Sequence, residues 1–215
     1  MTVLTNLKYY YLNIGTQGRG EPARLLLHDA GVPFEDIRLE FPDWFALKHE
    51  IMNDYPAAAL PLLKTGDGEY HGLSGPLMRF LGRELGYDAT SKKEARFVEQ
   101  VSDLVGDWYQ DYIRLFFQPD QKDFHNKHFR NLHIERFERL YGHHNDGPYV
   151  LGSQITYADF SVYAILRQDR VLESLDKKEN PNLYRFVKEF EERKNIKEYI
   201  ASFPKDEEPI VVPLD

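Results

Sequence analysis

The sequence contains no cysteine among its 215 residues. This absence excludes disulfide bonds, thiolate metal ligands and a cysteine nucleophile. Any sulfur chemistry must therefore come from a bound molecule. Because disulfide-rich frameworks are typical of secreted proteins, their absence leads us to expect a cytoplasmic protein.

Long apolar runs and an excess of basic charge are also missing. No segment approaches the roughly 20 apolar residues of a membrane helix, and the polar start MTVLTNLKYY lacks the regions of a signal peptide. Acidic residues outnumber basic ones by 35 to 27, which gives a net charge of −8 and disfavours anionic partners. We therefore expect no nucleic-acid and no membrane partner. The 42% hydrophobic content suffices for a buried core in one large or two small domains.

Metal-binding and dinucleotide-binding motifs are absent from the pattern as well. Gly15, Gly18 and Gly20 give the spacing G-x-x-G-x-G, the reverse of the dinucleotide fingerprint, so we expect no nicotinamide site. The histidines of the second half fit no metal-ligand spacing, so we expect no metal cofactor. We expect these histidines on exposed helix faces: His125, His128, His133, His143 and His144.

The first half of the chain alternates between strand and helix patterns. Its short connections predict a parallel strand pair joined by a right-handed crossover, followed by a hairpin and a further helix. The alternation of the first strand places Tyr9 and Tyr11 on one face and Tyr10 on the other. The predicted elements are a strand over 3–12, a helix over 22–30, a strand over 34–41, a hairpin over 59–73 and a helix over 75–85.

Helical periodicity dominates the second half of the chain. The short polar segment GYDATSK separates the two halves, and the final segment FPKDEEPIVVPLD contains three prolines, which exclude a helix there. We predict helices over 92–117, 123–144, 157–174 and 183–202. The predicted division is a first domain over 1–84, a linker over 85–91, a helical domain over 92–203 and a tail over 204–215.

Two segments of the second half carry a family resemblance. In YVLGSQITYADFSVYAIL, Thr156 and Asp159 have the spacing of an N-capping box, and NPNLYRFVKEFEERKNIKEYI follows. Together with the order of elements, these segments resemble the cytosolic glutathione S-transferases, and the chain is most similar to the sigma-like classes that use tyrosine. The resemblance implies an α/β domain of the thioredoxin-like type, β-α-β-α-β-β-α, followed by an all-α helical bundle domain. It also implies a homodimer.

The resemblance further implies that glutathione is a co-substrate bound by the first domain. The segment PDWFALK is similar to the sigma-class segment that holds the glycine carboxylate, which assigns that role to Trp44 and Lys48. Their spacing puts an indole N–H and an ammonium on one helix face. Taken alone, Lys48 would be a solvated surface lysine. By the same resemblance, Arg19 neutralises a ligand carboxylate or supports its own turn.

The hairpin and the helix after it carry the other expected glutathione contacts. Pro61 falls where the family has a cis-proline, and Leu60, which follows Ala59, bonds the cysteinyl part of glutathione through its backbone. Ser74 resembles the residue that holds the γ-glutamyl carboxylate at a helix N-terminus; the alternative is a simple N-cap. Leu73 stands where the family usually has glutamine or glutamate, so it would keep only a backbone contact.

The segment YYYLNIGTQGRG supplies the expected catalytic hydroxyl. In the family this phenol ends the first strand, before a glycine-arginine turn, and Tyr11 matches that position. A thiol pKa of about 8.5 leaves only a few per cent thiolate near pH 7, and one charge-assisted hydrogen bond is strong enough to ionise half of it. Tyr11 would act as a donor rather than a base. Because the turn is longer here than in relatives, Tyr9 and Thr16 remain alternatives.

The first long helix is expected to form a wall of the electrophile site. Its segment GDWYQDYIRLFF supplies Trp108, Tyr109, Tyr112 and Phe116, with core or dimer packing as the alternative. By resemblance, Asp111 would approach the amine of the glutathione bound to a partner subunit. We therefore predict a detoxifying glutathione transferase that conjugates or isomerises a hydrophobic electrophile. The alternative is a non-catalytic binding or scaffold protein on the same fold.

Overall fold

The computed structural model describes residues 4–144 and 146–204. The first half of this chain is built on a mixed four-stranded sheet of order β2-β1-β3-β4. β1 pairs in parallel with β2, and the other two pairs are antiparallel. The strands are β1 (Leu7–Leu12), β2 (Phe34–Leu39), β3 (Leu62–Lys64) and β4 (Tyr70–Gly72).

Three helices cover the sheet: α1 (Glu21–Asp29), α2 (Phe41–Ile51) and α3 (Ser74–Leu85). The second strand is shorter than predicted. It stops at Leu39 because Glu40 is the N-cap of α2 and a proline occupies the first turn of that helix, where its missing N–H is not needed. The first strand also begins later than predicted, at Leu7, because Asn6 before it has a positive φ of 50°.

The two faces of β1 pack against different layers, as its alternation predicts. Tyr9 and Tyr11 are 0% and 7% exposed and belong to the main hydrophobic core. Tyr10 points to the opposite face and packs against a smaller cluster that contains Trp44. The prediction that parity separates the three tyrosines is confirmed, so only Tyr9 and Tyr11 face α1.

Helices form the second half: α4 (Lys92–Phe117), α5 (Lys122–Phe124), α6 (Asn131–Tyr141), α7 (Tyr157–Gln168), α8 (Pro181–Glu191) and α9 (Lys194–Ala201). The predicted helix over 157–174 ends at Gln168 and is followed by a 3-10 turn over Val171–Glu173. Within the described residues, no helix has the length and apolar content needed to cross a bilayer. The predicted tail beyond Pro204 lies outside the described residues.

The predicted capping box at the start of α7 is confirmed. Asp159 accepts hydrogen bonds from the backbone N–H and the hydroxyl of Thr156, at 2.7 and 2.9 Å. The same carboxylate accepts bonds from the Val150 N–H and the Tyr141 hydroxyl. Burial raises the pKa of Asp159 to about 6, and these donors oppose the rise. The box therefore anchors α7, which packs against both α1 and α4.

The prediction of one continuous helix over 183–202 is wrong. α8 ends at Glu191, and α9 begins at Lys194 after Arg193, whose backbone is extended. The Arg193 guanidinium donates to Asp29 at the end of α1, with Nε 2.8 Å from the carboxylate. No glycine or proline marks this break in the sequence. The contact that stabilises it comes from Asp29 in a distant part of the chain, so local periodicity does not reveal the break.

Two of the histidines predicted to be exposed are buried instead. His125 and His133 are each 2% exposed. His125 lies within hydrogen-bonding distance of Asp169, and His133 lies 2.9 Å from Asp111 and stacks on Trp108. Burial lowers the pKa of His133, and Asp111 opposes that shift. Helical periodicity does not reveal a carboxylate that arrives from another helix.

A π-helical segment, His125–Arg130, joins α5 to α6. It brings two residues that are five positions apart to the same buried carboxylate, because π-helical bonding joins residues i and i+5. Arg130 donates to Asp169 at 3.0 Å, and Trp108 donates to it at 2.8 Å. This network fixes the end of α7 against α4.

Candidate functional site

Two cavities adjoin at Arg19 and Tyr109, where the sheet-containing half meets α4. One, of about 370 Å³, has a mixed lining with the charged and polar side chains of Ser74, Asp103 and Asp107, and we call it the polar cavity. The other, of about 290 Å³, is lined mainly by apolar side chains. The apolar wall includes Leu12, Ile14, Phe41, Tyr112, Ile113 and Phe117. The pair of cavities suits a ligand with one polar and one apolar part.

Tyr11 lines the apolar cavity at the end of β1. The turn that follows packs directly on its ring, and only glycine fits there. A Cβ on Gly18 would lie 2.6 Å from the phenol oxygen, and one on Gly20 would lie 2.5 Å from the ring. The two glycines of the motif therefore allow the turn to pack against the phenol.

The electrostatic surroundings of Tyr11 keep its hydroxyl protonated. Burial raises the pKa of Tyr11 above its ordinary value, while hydrogen bonding from the Arg19 backbone and the Arg24 charge partly oppose the rise. At neutral pH the group is thus a hydrogen-bond donor.

The turn after β1 is fixed by the C-terminal end of α7. Arg167 donates to the carbonyl of Thr16 at 2.7 Å, and the Gly18 N–H donates to the Gln168 side chain at 2.7 Å. Arg38 bonds the carbonyl of Gly15. The turn is therefore held against α7 and β2, and Tyr11 lies beside the cavity.

The first alternative to Tyr11 has a different task. Tyr9 is fully buried, and its hydroxyl donates to the Gly20 carbonyl at 2.7 Å. Its ring lies 5.2 Å from the Arg24 guanidinium. This phenol supports the turn from beneath, which leaves Tyr11 as the tyrosine of β1 that borders the apolar cavity.

Arg19 lies on the boundary between the cavities. Its guanidinium is 5.8 Å from the centre of the Tyr109 ring and donates to Gln110 at 3.3 Å. Its Nε is buried, and no protein group among the described residues bonds it. An arginine held this way offers positive charge to a ligand carboxylate in the polar cavity.

Asp111 lines neither of the two cavities. Its carboxylate pairs with His133 at 2.9 Å and with Arg114 at 3.5 Å. Asp107 and Asp103, one and two turns earlier on α4, are the carboxylates that line the polar cavity with Ser74. The expected approach of Asp111 to the glutathione of a partner subunit stays a prediction.

The remaining predicted glutathione residues lie on α2 and around β3. Trp44 is 8% exposed and lies on the buried face of α2, and Lys48 is half-buried one turn later on the same helix. The Leu60–Pro61 peptide bond is cis, as its position predicts. In the part of the chain that the structure describes, the Leu60 backbone makes no backbone–backbone hydrogen bond. It is therefore available to a peptide ligand, and Ala59 precedes it.

Leu73 has an unusual backbone for a non-glycine residue. Its φ is 66°, and it forms the N-cap of α3. The side chain is 46% exposed beside Ser74, the first residue of that helix. A leucine held in this left-handed conformation is strained by about 1–3 kcal/mol.

The residues predicted for the electrophile wall lie in two different environments. Tyr109 and Tyr112 line the apolar cavity, with hydroxyls that hydrogen-bond within the protein. Trp108 is 0% exposed and bonds Asp169, so it belongs to the core. The side chain of Phe116 lies outside the description. Ile113 and Phe117, which the prediction did not name, also line this cavity, at the i+4 and i+8 positions from Tyr109.

Metal chemistry has no visible site in this region. Across residues 4–144 and 146–204, no three histidine, aspartate or glutamate side chains converge in a way that could hold a metal ion. The charged side chains that line the two cavities are the Arg19 guanidinium and the carboxylates of Asp103 and Asp107. They can bind and orient a ligand with charges of both signs.

Comparisons with known proteins agree with this arrangement. Residues 106–203 match the family model "Glutathione S-transferase, C-terminal domain". The chain is 31% identical over 207 residues to "Glutathione S-transferase 1" of Ascaris suum, which covers 92% of this chain and 97% of that protein. It is 30% identical over 197 residues to "Glutathione S-transferase P 1" of Xenopus laevis, with 90% and 92% covered.

A solved structure shows the same architecture. The Pi-class glutathione S-transferase of Onchocerca volvulus has a TM-score of 0.81 to this chain at 26% identity, and the match covers 92% of this chain and 93% of that one. The predicted fold class is confirmed: a thioredoxin-like domain precedes an all-helical domain.

Proposed function

Because this chain belongs to the glutathione S-transferase family, we propose that it activates the thiol of glutathione through Tyr11 for reaction with a hydrophobic electrophile. The observation that carries this proposal is the position of Tyr11. Its protonated phenol borders an apolar cavity and is held in place by the turn that follows β1.

The magnitude of one hydrogen bond suits this task. Half ionisation of the thiol near pH 7 requires its pKa to fall by about 1.5 units, or about 2 kcal/mol. A hydrogen bond to a charged group contributes about 1.5–3 kcal/mol. The proton leaves for solvent, the sulfur forms a bond to the electrophilic carbon, and a leaving group departs with its electron pair. Isomerisation uses the same thiolate without net loss of glutathione.

The polar groups of the site match the two ends of glutathione. The free backbone of Leu60 would pair with the cysteinyl residue as an added strand. Trp44 and Lys48 on α2 would bind the glycine carboxylate. Ser74, at the start of α3, would receive the γ-glutamyl carboxylate, with the α3 N-terminus favouring the negative charge.

The carboxylates of the polar cavity complement the remaining charge of this ligand. Asp103 and Asp107 line the same cavity as Ser74. They would face the γ-glutamyl ammonium, in this subunit or, in the homodimer that we propose, across the interface. Leu73 contributes its backbone only, so we propose weaker binding than in relatives with an amide side chain there.

Ligand binding and turnover test the function together. The midpoint temperature of thermal unfolding should rise in millimolar glutathione, since a ligand well above its Kd stabilises the folded state. Oxidised glutathione and the analogue that lacks the thiol have no free thiol. A rise in midpoint with either of them therefore reports binding of the peptide without use of the sulfur. Conjugation of a generic aryl halide should then depend on glutathione. A protein with no thermal shift and no turnover would contradict the proposal.

A further inference from the structure

Gln168, the last residue of α7, links the turn after β1 to the apolar cavity. Its Oε1 accepts a hydrogen bond of 2.7 Å from the Gly18 N–H, and its Nε2 donates to Gln17 at 3.3 Å. The side chain is 8% exposed and lines the cavity beside Tyr11. A buried amide in an apolar wall must be hydrogen-bonded, and here its partner is the turn itself.

Both backbone polar groups of Gly18 are hydrogen-bonded to side chains of the helical half. The Gly18 carbonyl accepts a bond of 3.3 Å from the Tyr109 hydroxyl, and the Gly18 N–H donates to Gln168. Gly18 also packs against the phenol of Tyr11, because a Cβ on Gly18 would lie only 2.6 Å from the phenol oxygen. One hydrogen bond and one close packing contact therefore connect Gln168 to Tyr11 through Gly18.

We propose that Gln168 is a positioning residue for Tyr11: by holding Gly18 it keeps the turn packed against the phenol and aims the phenol O–H into the site. This inference rests on the proposed function, because its effect is seen on the glutathione sulfur. The bond that the phenol donates to the sulfur is strongest when the O–H points at its acceptor, since hydrogen bonds weaken steeply as they depart from linearity. A loosened turn gives a weaker and less well aimed donor.

Replacement of Gln168 by methionine tests the assignment. Gln168→Met keeps the length of the side chain and removes both hydrogen-bonding groups. The pKa of the bound glutathione thiol, followed by thiolate absorbance against pH, should rise by about 0.5–1 unit, the size of one ordinary hydrogen bond. At pH 6.5, kcat/KM should fall about 3- to 10-fold and recover at high pH, while the KM for glutathione stays within about twofold.

A matched control separates positioning from general loss of stability. Gln154 donates to the Asp88 carbonyl at 2.9 Å and is remote from both cavities, so Gln154→Met should leave the thiol pKa unchanged. If Gln168→Met does not fold, Gln168→Asn keeps the amide but is one methylene too short to reach Gly18. The same rise in thiol pKa is then expected.

A double variant shows whether the effect passes through the phenol. Adding Gln168→Met to Tyr11→Phe should produce no further rise of the thiol pKa. An unchanged thiol pKa in Gln168→Met, or an equal rise with and without Tyr11, would overturn the positioning role while the proposed function stands. No bound thiolate and no turnover in the unaltered protein would overturn both.

Discussion

Tyr199 on α9 donates a hydrogen bond of 2.8 Å to Glu21, the first residue of α1. The same carboxylate pairs with Arg24, at 3.2 Å, and is only 2% exposed. Burial raises the pKa of Glu21 to about 7 from 4.5, although Arg24 and the Tyr199 hydroxyl lower it. The end of the helical half is thus tied to the sheet half through a carboxyl that titrates near neutrality.

This carboxyl should make stability depend on pH. A group whose pKa is higher in the folded state binds its proton more tightly there, so its stabilisation is complete below pH 4.5 and is lost as the pH rises toward 7. The pKa difference corresponds to about 3 kcal/mol. In Glu21→Gln, residue 21 cannot titrate. The free energy of unfolding of this variant minus that of the unaltered protein should therefore increase as the pH rises from 4.5 to 7.

Denaturant unfolding at several pH values between 4 and 8 measures the effect. Glu35→Gln is the control, because Glu35 is 61% exposed in its pair with Lys8. Glu35→Gln should change the free energy of unfolding only slightly, and by almost the same amount at every pH. If the Glu21→Gln curve runs parallel to that of the unaltered protein, Glu21 does not titrate in this window.

The catalytic assignment predicts a selective loss in Tyr11→Phe. The substitution keeps the buried ring and removes the donor, so the bound thiol pKa should rise by about 1–2 units, with little change in glutathione binding. The loss of kcat/KM should be largest below pH 8 and shrink where glutathione ionises unaided.

Tyr9→Phe is the matched control for this prediction. It removes the bond to the Gly20 carbonyl and should cost about 1 kcal/mol of stability without moving the thiol pKa as far. Thiol titration of Tyr11→Phe, Tyr9→Phe and Thr16→Ala compares the three hydroxyls. A rise in either of the last two, with none in Tyr11→Phe, would move the catalytic role away from Tyr11.

Lys48→Ala should discriminate between two forms of the ligand. If Lys48 binds the glycine carboxylate, glutathione should bind about 3- to 10-fold more weakly, and glutathione amidated at that carboxylate should bind almost unchanged. Calorimetric titration of both ligands measures the difference. Lys177→Ala, an exposed lysine in the helical half, is the control. Equal losses for both ligands would place Lys48 outside the carboxylate site.

Leu73→Gln should strengthen glutathione binding. It keeps the backbone geometry and adds an amide beside Ser74, where one new hydrogen bond corresponds to about a 2- to 12-fold gain in affinity. Leu132→Gln is a matched control, since Leu132 has a similar exposure of 47% and lies in α6. Calorimetry that finds no gain for Leu73→Gln would show that the γ-glutamyl end does not lie against residue 73.

Local patterns in the sequence were sufficient for the sheet and for most helices. Alternation separated Tyr10 from Tyr9 and Tyr11, and the capping spacing of Thr156 and Asp159 located the start of α7. These features depend on neighbours within a few residues. The break at Arg193 could not be seen, because a carboxylate more than 160 residues away stabilises it.

The candidate site shows the same limit. The positions of Tyr11 and of the cis bond at Pro61 follow from motifs on the first strand and hairpin. The burial of Trp108 follows from Asp169, and the fixed turn depends on Gln168, which is 150 residues away from Gly18. Periodicity gives the face of a helix, whereas the partner of that face is known only after the helices pack.

Gly18 and Gly86 offer a paired test of how the turn holds the phenol. Both have positive φ, 77° and 80°, so alanine is strained at either position by about 1–2 kcal/mol. Only at Gly18 would the new methyl group meet Tyr11, 2.6 Å from its oxygen, because nothing lies within 4 Å of a Cβ at Gly86. Both variants should lose similar unfolding free energy from backbone strain, but Gly18→Ala alone should raise the bound thiol pKa and reduce kcat/KM at pH 6.5. A comparable loss of activity in Gly86→Ala would trace the defect to stability. An unchanged thiol pKa in a folded Gly18→Ala would show that the phenol keeps its aim without the close contact of the turn.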